Sequence, residues 1–327
     1  MSFPVNAYLL AFAGGFMVTL ATVPLWRAWC EWRGWVDDPG HRKIHGTPIP
    51  LAGGLAVFFS MAIVMMAGVA AVRLRMLDPV AVERLSYGLG RRAGELGAIL
   101  LGALGMLLLG WWDDRRELKP GAKFAGQAAI ALLVAASGVR VTLFVPSVLF
   151  SYAVTVLWIL TVTNAVNFND NMNGLCGGLG VIGTGWIAYH GAVEGQYLVA
   201  LLALLAGGAL LGFLPYNFPR ASVFLGDAGS HLVGFLLAVL TILPHFYSAR
   251  QAAPSRWAVL SPVILLAVPL ADLASVVWIR LRAGRPVWIG DTNHFSHRLV
   301  RAGRSRPQAV VLLWLAALAG GAVTLWL

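Results

Sequence analysis

Apolar runs alternate with short polar connections along almost the whole chain. The first 26 residues carry no charge, and further apolar stretches follow near residues 51–72, 94–112, 122–139, 143–163, 175–193, 197–214, 229–245, 257–279 and 307–325. Each of these stretches has about 17 to 23 residues, the length at which a helix crosses roughly 30 Å of hydrocarbon. The pattern predicts an all-α polytopic membrane protein with about ten transmembrane helices.

Composition supports this class and excludes two others. Hydrophobic residues make up 59% of the 327 residues and charged residues only 12%, about half the charged share of a typical soluble domain. An ordinary soluble globule and a disordered chain are therefore excluded. No basic segment precedes the first apolar run, so we expect a retained helix rather than a cleaved signal. Without repeats or linkers, residues 1–327 are predicted to form a single integral-membrane domain.

The distribution of basic residues predicts the orientation. Ten spans with both termini outside leave inside loops near 27–50, 113–123, 164–174, 215–228 and 280–306. Sixteen of the 24 Lys and Arg residues fall in these loops, in agreement with the positive-inside rule. The net charge of +10 is thus attributed to membrane topology. No basic cluster with interleaved aromatics indicates nucleic-acid binding.

Acidic residues gather on the same predicted face. Nine of the fourteen Asp and Glu residues lie in inside loops. Asp113 and Asp114 directly follow a tryptophan pair at the expected membrane interface, where adjacent carboxylates either share a cation or retain a proton. A solvated helix end would look the same. Asp272 lies within the span predicted at 257–279; it is a functional candidate by position, but we favour a hydrogen-bonded packing role.

Three further stretches carry polar chemistry. The loop 164–174 holds five asparagines and one aspartate, more than turn formation alone requires, and favours contact with a polar ligand. Asp227 lies in a glycine-rich helix start, where a carboxylate can hold Mg²⁺ beside phosphate oxygens, although an ordinary helix cap fits equally. His294 and His297 lie in a basic loop suited to a diphosphate. A zinc site there lacks further ligands at zinc spacing.

Taken in order, these motifs resemble those of the polyprenyl-phosphate N-acetylhexosamine-1-phosphate transferases, a glycosyltransferase family 4 group. The likeness covers about residues 37–307, nearly the whole chain. It rests on the following motifs: His45-x-x-Pro48-x-Pro50-x-x-Gly53-Gly54, Asp113-Asp114 with Leu118, Pro120, Lys123 and Gln127, Asn167-Phe168-x-Asp170, Gly226-Asp227-x-Gly229-Ser230, and Asp291-x-x-His294-x-x-His297-Arg298-Leu299. Each motif alone is weak to moderate, but five in order are specific.

The resemblance implies a reaction and a location. In this family a lipid phosphate, undecaprenyl phosphate in most bacteria, attacks the β-phosphate of a UDP-amino sugar and yields lipid-diphosphate-sugar and UMP. The implied enzyme is a Mg²⁺-dependent transferase, with Mn²⁺ as a substitute, that initiates a cell-envelope glycan. It would lie in the bacterial inner membrane as a multi-pass protein with its active site facing the cytoplasm. A homodimer and a monomer surrounded by lipid fit the composition equally.

The resemblance also implies residue roles. Asp113 and Asp114 match the catalytic pair near the reacting phosphates. Asp227 matches the metal ligand, and Asp170 matches a position that lines both the metal and the nucleotide pocket. The remaining implied substrate-binding residues are Lys43, His45, Lys123, Asn167, Asn173, His294, His297 and Arg298.

The sequence departs from the family pattern at positions expected to influence substrate choice, while Asp113, Asp114 and Asp227 are kept. The second loop usually ends Asp-Gly-x-Asp-Gly, whereas here Asn171 and Asn173 replace a glycine and an aspartate. Ser296 replaces the middle histidine of the last motif. The absence of three consecutive histidines favours UDP-GlcNAc, or a related UDP-HexNAc, over UDP-MurNAc-pentapeptide as the donor. Two alternatives remain open: a lipid or sugar-nucleotide transporter, and a catalytically degenerate family member.

Overall fold

The computed structural model describes residues 2–39, 46–142, 145–244 and 256–327. Over these residues the chain forms thirteen α-helices and one two-stranded hairpin. The helices are α1 (Val5–Arg33), α2 (Gly53–Arg73), α3 (Pro79–Arg91), α4 (Ala93–Arg116), α5 (Pro120–Ala136), α6 (Val148–Phe168), α7 (Leu175–Val193), α8 (Tyr197–Asn217), α9 (Gly226–Ile242), α10 (Ser261–Leu265), α11 (Ala267–Arg282), α12 (Phe295–Arg301) and α13 (Arg306–Val323). The strands are β1 (Val36–Asp37) and β2 (Ile49–Pro50), and 3₁₀ turns cover Arg256–Leu260 and Thr324–Trp326. The all-α prediction is confirmed.

Helix α9 lies at the centre of the bundle. Every residue from Ala228 to Thr241 is buried, as expected of a helix that is apolar on all faces. It packs against α4 and α6, while α8 packs against α1 and α7. The first turn of α9 is thereby held among the ends of several other helices.

Six helices are long and apolar enough to cross a membrane: α1, α2, α4, α6, α8 and α13 together with its closing 3₁₀ turn. A seventh crossing follows if the pair Trp257–Leu265 and Ala267–Arg282 counts as one span. The predicted spans α5 and α9 form helices of only 17 residues each, and α7 is rich in glycine. The described residues therefore support a multi-pass membrane protein with six or seven clear spans.

Three details differ from the sequence prediction. The segment predicted as one helix at 257–279 is broken, and its two parts meet at an angle of 73°. The connection between the apolar stretches at 51–72 and 94–112 contains helix α3, which begins with Pro79 after the N-cap Asp78. Helix α1 continues beyond residue 26 to Arg33, so the first inside loop begins later than expected.

The hairpin connects the first inside loop to α9. The backbone N–H of Phe224 donates to Pro50 O at 2.9 Å, and that of Gly53 donates to Phe224 O at 2.9 Å. A Cβ atom on Gly54 would lie 2.6 Å from Gly229 N, so only glycine allows the start of α2 to touch the start of α9. The paired glycines of the first motif therefore serve close helix packing.

Candidate active site

The carboxylate of Asp114 is bonded to the first turn of α9. Its Oδ1 accepts the N–H of Asp227 at 2.8 Å, and its Oδ2 accepts the N–H of Ala228 at 3.0 Å. A negative charge at a helix N-terminus satisfies free backbone donors and interacts favourably with the helix dipole. Asp114 thus takes up backbone donors that could otherwise bind an anion, and it joins α4 to α9.

Two glycines make this junction possible. At Gly110, one turn before Asp114, a Cβ atom would lie 2.2 Å from Asp227 O. Gly226 has φ +67°, a left-handed conformation that favours glycine, and a Cβ atom there would lie 2.8 Å from Asp114 Oδ2. The close approach of α4 and α9 thus depends on these two positions.

Lys123 lies between two carboxylates from different helices. Its Nζ is 2.6 Å from Asp113 Oδ2 and 3.3 Å from Asp227 Oδ2. Asp113 Oδ1 also accepts the N–H of Leu118 at 2.8 Å. Lys123 lies on α5, directly after the turn that follows Asp113, so local chain geometry places the two together. The structure brings all three charged residues into one cluster, as the motifs suggested.

Asn167 completes the contacts of Asp227. Its Nδ2 donates to Asp227 Oδ1 at 2.6 Å and to Ser230 Oγ at 2.8 Å. The imidazole Nδ1 of His231 is 2.5 Å from the backbone oxygen of Asp227. Asp227 is therefore oriented through both carboxylate oxygens and its backbone. Ser230 is a supporting residue to which sequence reasoning assigned no role.

Asp170 is a partly buried carboxylate that lies close to other negative charges. Burial, followed by the negative charges of Asp227 and Asp114, raises the pKa of Asp170 to about 8. No donor bonds its carboxylate within the parts of the chain that the structure describes. A nearby cation would offset this repulsion, which makes Asp170 suitable for holding one.

The described residues supply only part of the ligands that a bound Mg²⁺ needs. Among the described residues, no three His, Cys, Asp or Glu side chains are grouped so that they could hold a metal ion by themselves. Mg²⁺ usually takes one or two protein carboxylates and completes its octahedron with waters and substrate phosphates. Asp227 and Asp170 are the two carboxylates that could supply such ligands. A closed structural metal site is not formed by these residues.

The asparagine-rich loop is held largely by its own amides. Asn169 Nδ2 donates to Ala165 O at 2.8 Å, and Asn171 Nδ2 donates to Phe168 O at 2.7 Å. Asn164, on the last part of α6, donates to Gln127 Oε1 at 2.7 Å. Hydrogen bonds within the protein therefore account for three of the five asparagines.

Asn173 lies at the rim of the site. Its Nδ2 is 3.4 Å from Pro219 O in an exposed contact, while the next residue, Gly174, donates its N–H to Asn217 Oδ1 at 2.6 Å. The position at which the family usually has an aspartate is thus accessible to a ligand but lies outside the Lys123 cluster.

The histidine segment forms the short helix α12 and is anchored by Asp272. His294 Nδ1 is 2.6 Å from Asp272 Oδ2, and the N–H of Phe295 donates to Asp272 Oδ1 at 2.6 Å. Asp272 is only 1% exposed. It is a hydrogen-bonded residue, as expected, but its partner is a candidate site histidine. The feature of the sequence that pointed to Asp272 was its position as a lone carboxylate within a predicted span.

A second bond connects α12 with the asparagine loop. Ser296 Oγ donates to Asn171 Oδ1 at 2.6 Å, and Ser296 is buried. Both residues are departures from the family pattern. The bond was not foreseen because nothing in the sequence places positions 171 and 296 side by side.

Phe168 packs between the histidine segment and the end of α11. The ring of His294 meets it edge-on with centroids 5.9 Å apart, and the Arg280 guanidinium lies 5.1 Å from its centroid. Arg280 Nε donates to Asp291 Oδ2 at 2.8 Å. This contact, with the N–H of Asn293, lowers the pKa of Asp291 against the opposing effect of its burial. The basic loop is thus partly neutralised by its own acid.

His297 and Arg298 lie on the outer side of α12. Burial, followed by the positive charges of His294, Arg301 and Arg306, lowers the pKa of His297. Arg298 donates to Ser275 Oγ at 3.0 Å in an exposed contact. The predicted substrate-binding residues Lys43 and His45 lie outside the described residues.

A large cavity in the described part of the chain lies away from these residues. It has a volume of about 430 Å³ and is lined by the start of α1, the end of α2, α3, and the starts of α4 and α8. Asn6 is the one polar residue among its lining residues. Asp113 lies at the opposite end of α4, so this apolar cavity is separate from the charged cluster.

Comparisons with known proteins identify similar sequences. Residues 96–245 match the model for glycosyl transferase family 4. The chain is 31% identical over 315 residues to a probable undecaprenyl-phosphate N-acetylglucosaminyl 1-phosphate transferase of Bacillus subtilis, an alignment covering 94% of this chain and 81% of that relative. It is 33% identical over 351 residues to a decaprenyl-phosphate N-acetylglucosaminephosphotransferase of Mycobacterium tuberculosis, with 97% and 81% covered. An undecaprenyl-phosphate alpha-N-acetylglucosaminyl 1-phosphate transferase of Escherichia coli K12 is 27% identical, with 87% and 74% covered.

Proposed function

The chain belongs to glycosyl transferase family 4, and on that basis we propose that it transfers GlcNAc-1-phosphate from UDP-GlcNAc to undecaprenyl phosphate. An oxygen of the lipid phosphate attacks the β-phosphorus of the UDP-sugar. The bond between that phosphorus and the bridging oxygen breaks, and the oxygen leaves with UMP. The product, a lipid-diphosphate-sugar, would initiate a cell-envelope glycan.

The observation that carries this proposal is the position of Lys123 between Asp113 and Asp227 at the ends of two apolar helices. The reaction brings a lipid phosphate and a diphosphate together. Like unit charges 4 Å apart repel by about 4 kcal/mol at an effective dielectric of 20. The Lys123 ammonium group, together with a divalent cation that would neutralise the neighbouring carboxylates, would offset part of this repulsion where the lipid phosphate must arrive.

The contacts divide the acidic pair into two roles. Both oxygens of Asp114 accept backbone N–H groups of α9, so we assign Asp114 to holding the start of that helix. Asp113 has one oxygen bonded to Leu118 N and the other paired with Lys123. We assign Asp113 to accepting the proton of the lipid phosphate. The incoming phosphate would lie beside Lys123, which is paired with Asp113.

A divalent cation would be held by Asp227 and Asp170. Mg²⁺, with Mn²⁺ as a substitute, would supply positive charge to the diphosphate. Asn167 keeps Asp227 oriented through its Oδ1. His294 and His297 lie on the helix beside the turn that carries Asp170 and would contact the donor's phosphates. In-line positioning then contributes more than covalent chemistry from the protein.

The proposed topology has ten crossings. In addition to the six clear spans, α5, α7, α9 and the bent pair α10–α11 would each cross once. Both termini would lie outside, and the charged cluster would face the cytoplasm of a bacterial inner membrane. The basic inside loops support this orientation.

The test is UMP release by the purified full-length protein in detergent. Undecaprenyl phosphate, Mg²⁺ and UDP-GlcNAc are supplied together, with UDP-GalNAc and UDP-MurNAc-pentapeptide in parallel. We expect release that requires both lipid and metal and is fastest with UDP-GlcNAc. Asp113→Asn and Asp227→Asn should each abolish turnover, whereas the matched control Asp78→Asn, at the N-cap of α3, should retain it.

Three outcomes would contradict the proposal. Near-normal turnover by the Asp227→Asn protein would remove Asp227 from the site. No UMP from any donor, in folded wild-type protein that still binds UDP-GlcNAc, would favour transport over transfer. Failure to bind either nucleotide or Mg²⁺ would favour the degenerate alternative, and Asn173→Asp would then be the variant to examine.

A further inference from the structure

His294 and Asp272 form a buried pair in which only one ring nitrogen is engaged. Nδ1 lies 2.6 Å from Asp272 Oδ2, and the residues are 5% and 1% exposed. Nε2 has no hydrogen-bond partner among the described residues. His294 Nε2 is therefore the atom available to a ligand, and Nδ1 is committed to the protein.

The second oxygen of Asp272 fixes the orientation of the pair. Oδ1 accepts the N–H of Phe295 at 2.6 Å, so the carboxylate cannot rotate without breaking that bond. An ionised carboxylate only accepts hydrogen bonds, so the proton it binds must sit on Nδ1. In a neutral imidazole this leaves Nε2 unprotonated, and a second proton would make Nε2 a donor.

We propose that Asp272 is a positioning residue that fixes the His294 proton on Nδ1 and presents Nε2 to the donor's diphosphate. The proposal rests on the proposed function, since it assumes an anionic donor beside α12. When an anion binds, the imidazole takes up a proton from water at Nε2, and this N–H donates a hydrogen bond to the anion. The Asp272 carboxylate then balances the charge of the imidazolium inside the protein.

The place of the pair supports this role. His294 packs edge-on against Phe168, which closes α6 two residues before Asp170. The next turn of α12 is bonded to Asn171 through Ser296. Three contacts therefore hold the imidazole beside the loop that carries a proposed metal ligand. Side chains that orient a functional histidine in this way affect activity without touching the substrate.

The decisive variant is Asp272→Asn, because an amide can keep the bond to the start of α12 and move the His294 proton from Nδ1 to Nε2. Its oxygen can accept the N–H of Phe295, and its NH₂ must then face His294 Nδ1. That nitrogen has to become an acceptor, so the proton moves to Nε2. The variant differs from wild type in proton position and in one negative charge, with little change in shape.

The primary readout does not depend on activity. In full-length protein labelled with ¹⁵N-histidine, with the His294 signals assigned by loss in His294→Gln, we expect a protonated Nδ1 in wild type. Asp272→Asn should show an unprotonated Nδ1. Turnover with UDP-GlcNAc should fall by about 10- to 100-fold in the variant, while the thermal midpoint stays close to that of wild type. Asp78→Asn is the matched control for both measurements.

Three outcomes would overturn the proposal. They are a wild-type His294 with its proton only on Nε2, an Asp272→Asn protein in which Nδ1 stays protonated, and full turnover by an Asp272→Asn protein whose His294 proton has moved to Nε2. If wild type shows the expected Nδ1 proton but releases no UMP with any donor, the proposed function fails and the pairing stands. A lower thermal midpoint with unchanged protonation would assign Asp272 to structure alone.

Discussion

Replacing Asp170 by Asn is expected to stabilise the protein when divalent cations are absent. Burial and the charges of Asp227 and Asp114 raise the pKa of Asp170 to about 8, whereas a carboxyl group in an unfolded chain has a pKa near 3.9. Between these values the folded protein binds more protons than the unfolded chain. Stability must therefore decline as the pH rises from about 4 to about 8. Asparagine carries no charge and removes this dependence.

The size of the effect follows from the shift. One pKa unit corresponds to 1.36 kcal/mol, so about four units set an upper limit near 5 kcal/mol. Asp170 is only partly buried, and solvent screening lowers the effective interaction. We expect the Asn variant to gain about 2 kcal/mol at pH 8 and well under half of that at pH 5. For a chain of 327 residues, an unfolding entropy of about 2.1 cal/mol/K per residue means that 2 kcal/mol raises the thermal midpoint by roughly 3 °C.

The assay is thermal unfolding of detergent-purified protein in EDTA at pH 5 and pH 8. Wild type, Asp170→Asn and the control Asp78→Asn are compared, and Mg²⁺ is then added at pH 8. The metal should raise the wild-type midpoint and leave that of Asp170→Asn nearly unchanged, because a proposed ligand is gone. The reasoning is refuted if Asp170→Asn unfolds at a lower temperature than wild type at pH 8 in EDTA, or if the difference does not change with pH.

Four further changes test separate contacts. Asp114→Asn should lower the free energy of unfolding by about 1–3 kcal/mol, because an amide has one acceptor oxygen and leaves one of the two backbone N–H groups of α9 without its partner; an unchanged denaturation midpoint would contradict this. Gly110→Ala should cost about 1–3 kcal/mol or more from overpacking, read from the same melts. A double-mutant cycle between Asn171→Ala and Ser296→Ala should give a coupling of about 0.5–1.5 kcal/mol, and additivity would deny the bond. UDP-GlcNAc should bind more tightly at pH 6 than at pH 8, since an anion favours protonation of His297, whose pKa is lowered; calorimetry should show a flatter profile for His297→Gln.

Local patterns predicted the helices and the order of the motifs. In the described part of the chain the apolar stretches lie largely on helices, with the stretch at 257–279 divided at a break between α10 and α11, because a chain in hydrocarbon must satisfy its backbone groups internally. Helix α3 was missed because its polar, amphipathic sequence was interpreted as a connection. The Asp78-Pro79 pair, an N-cap followed by a proline at the first helical position, is the signal that could have identified it.

The cluster around Lys123 was predictable and the partners within it were not. Lys123 follows Asp113 closely along the chain, whereas its contact with Asp227 joins residues 104 positions apart. The use of Asp114 as a helix cap depends on how closely α4 and α9 approach, which hydropathy does not report. Likewise, Asp272 was identified as a buried carboxylate, but its bond to His294 follows from the packing of α12 beneath α11.

The backbone contact at Gly110 has a mechanical consequence. Helices that touch at a glycine and share a carboxylate cap cannot slide past one another without breaking several close contacts at once. We therefore expect α4 and α9 to behave as one rigid wall throughout turnover. Widening of the entrance for a bulky donor would then have to come from other elements, such as α12, a helix of seven residues. Exchange of donors would then depend on movement of α12 relative to the fixed pair α4 and α9.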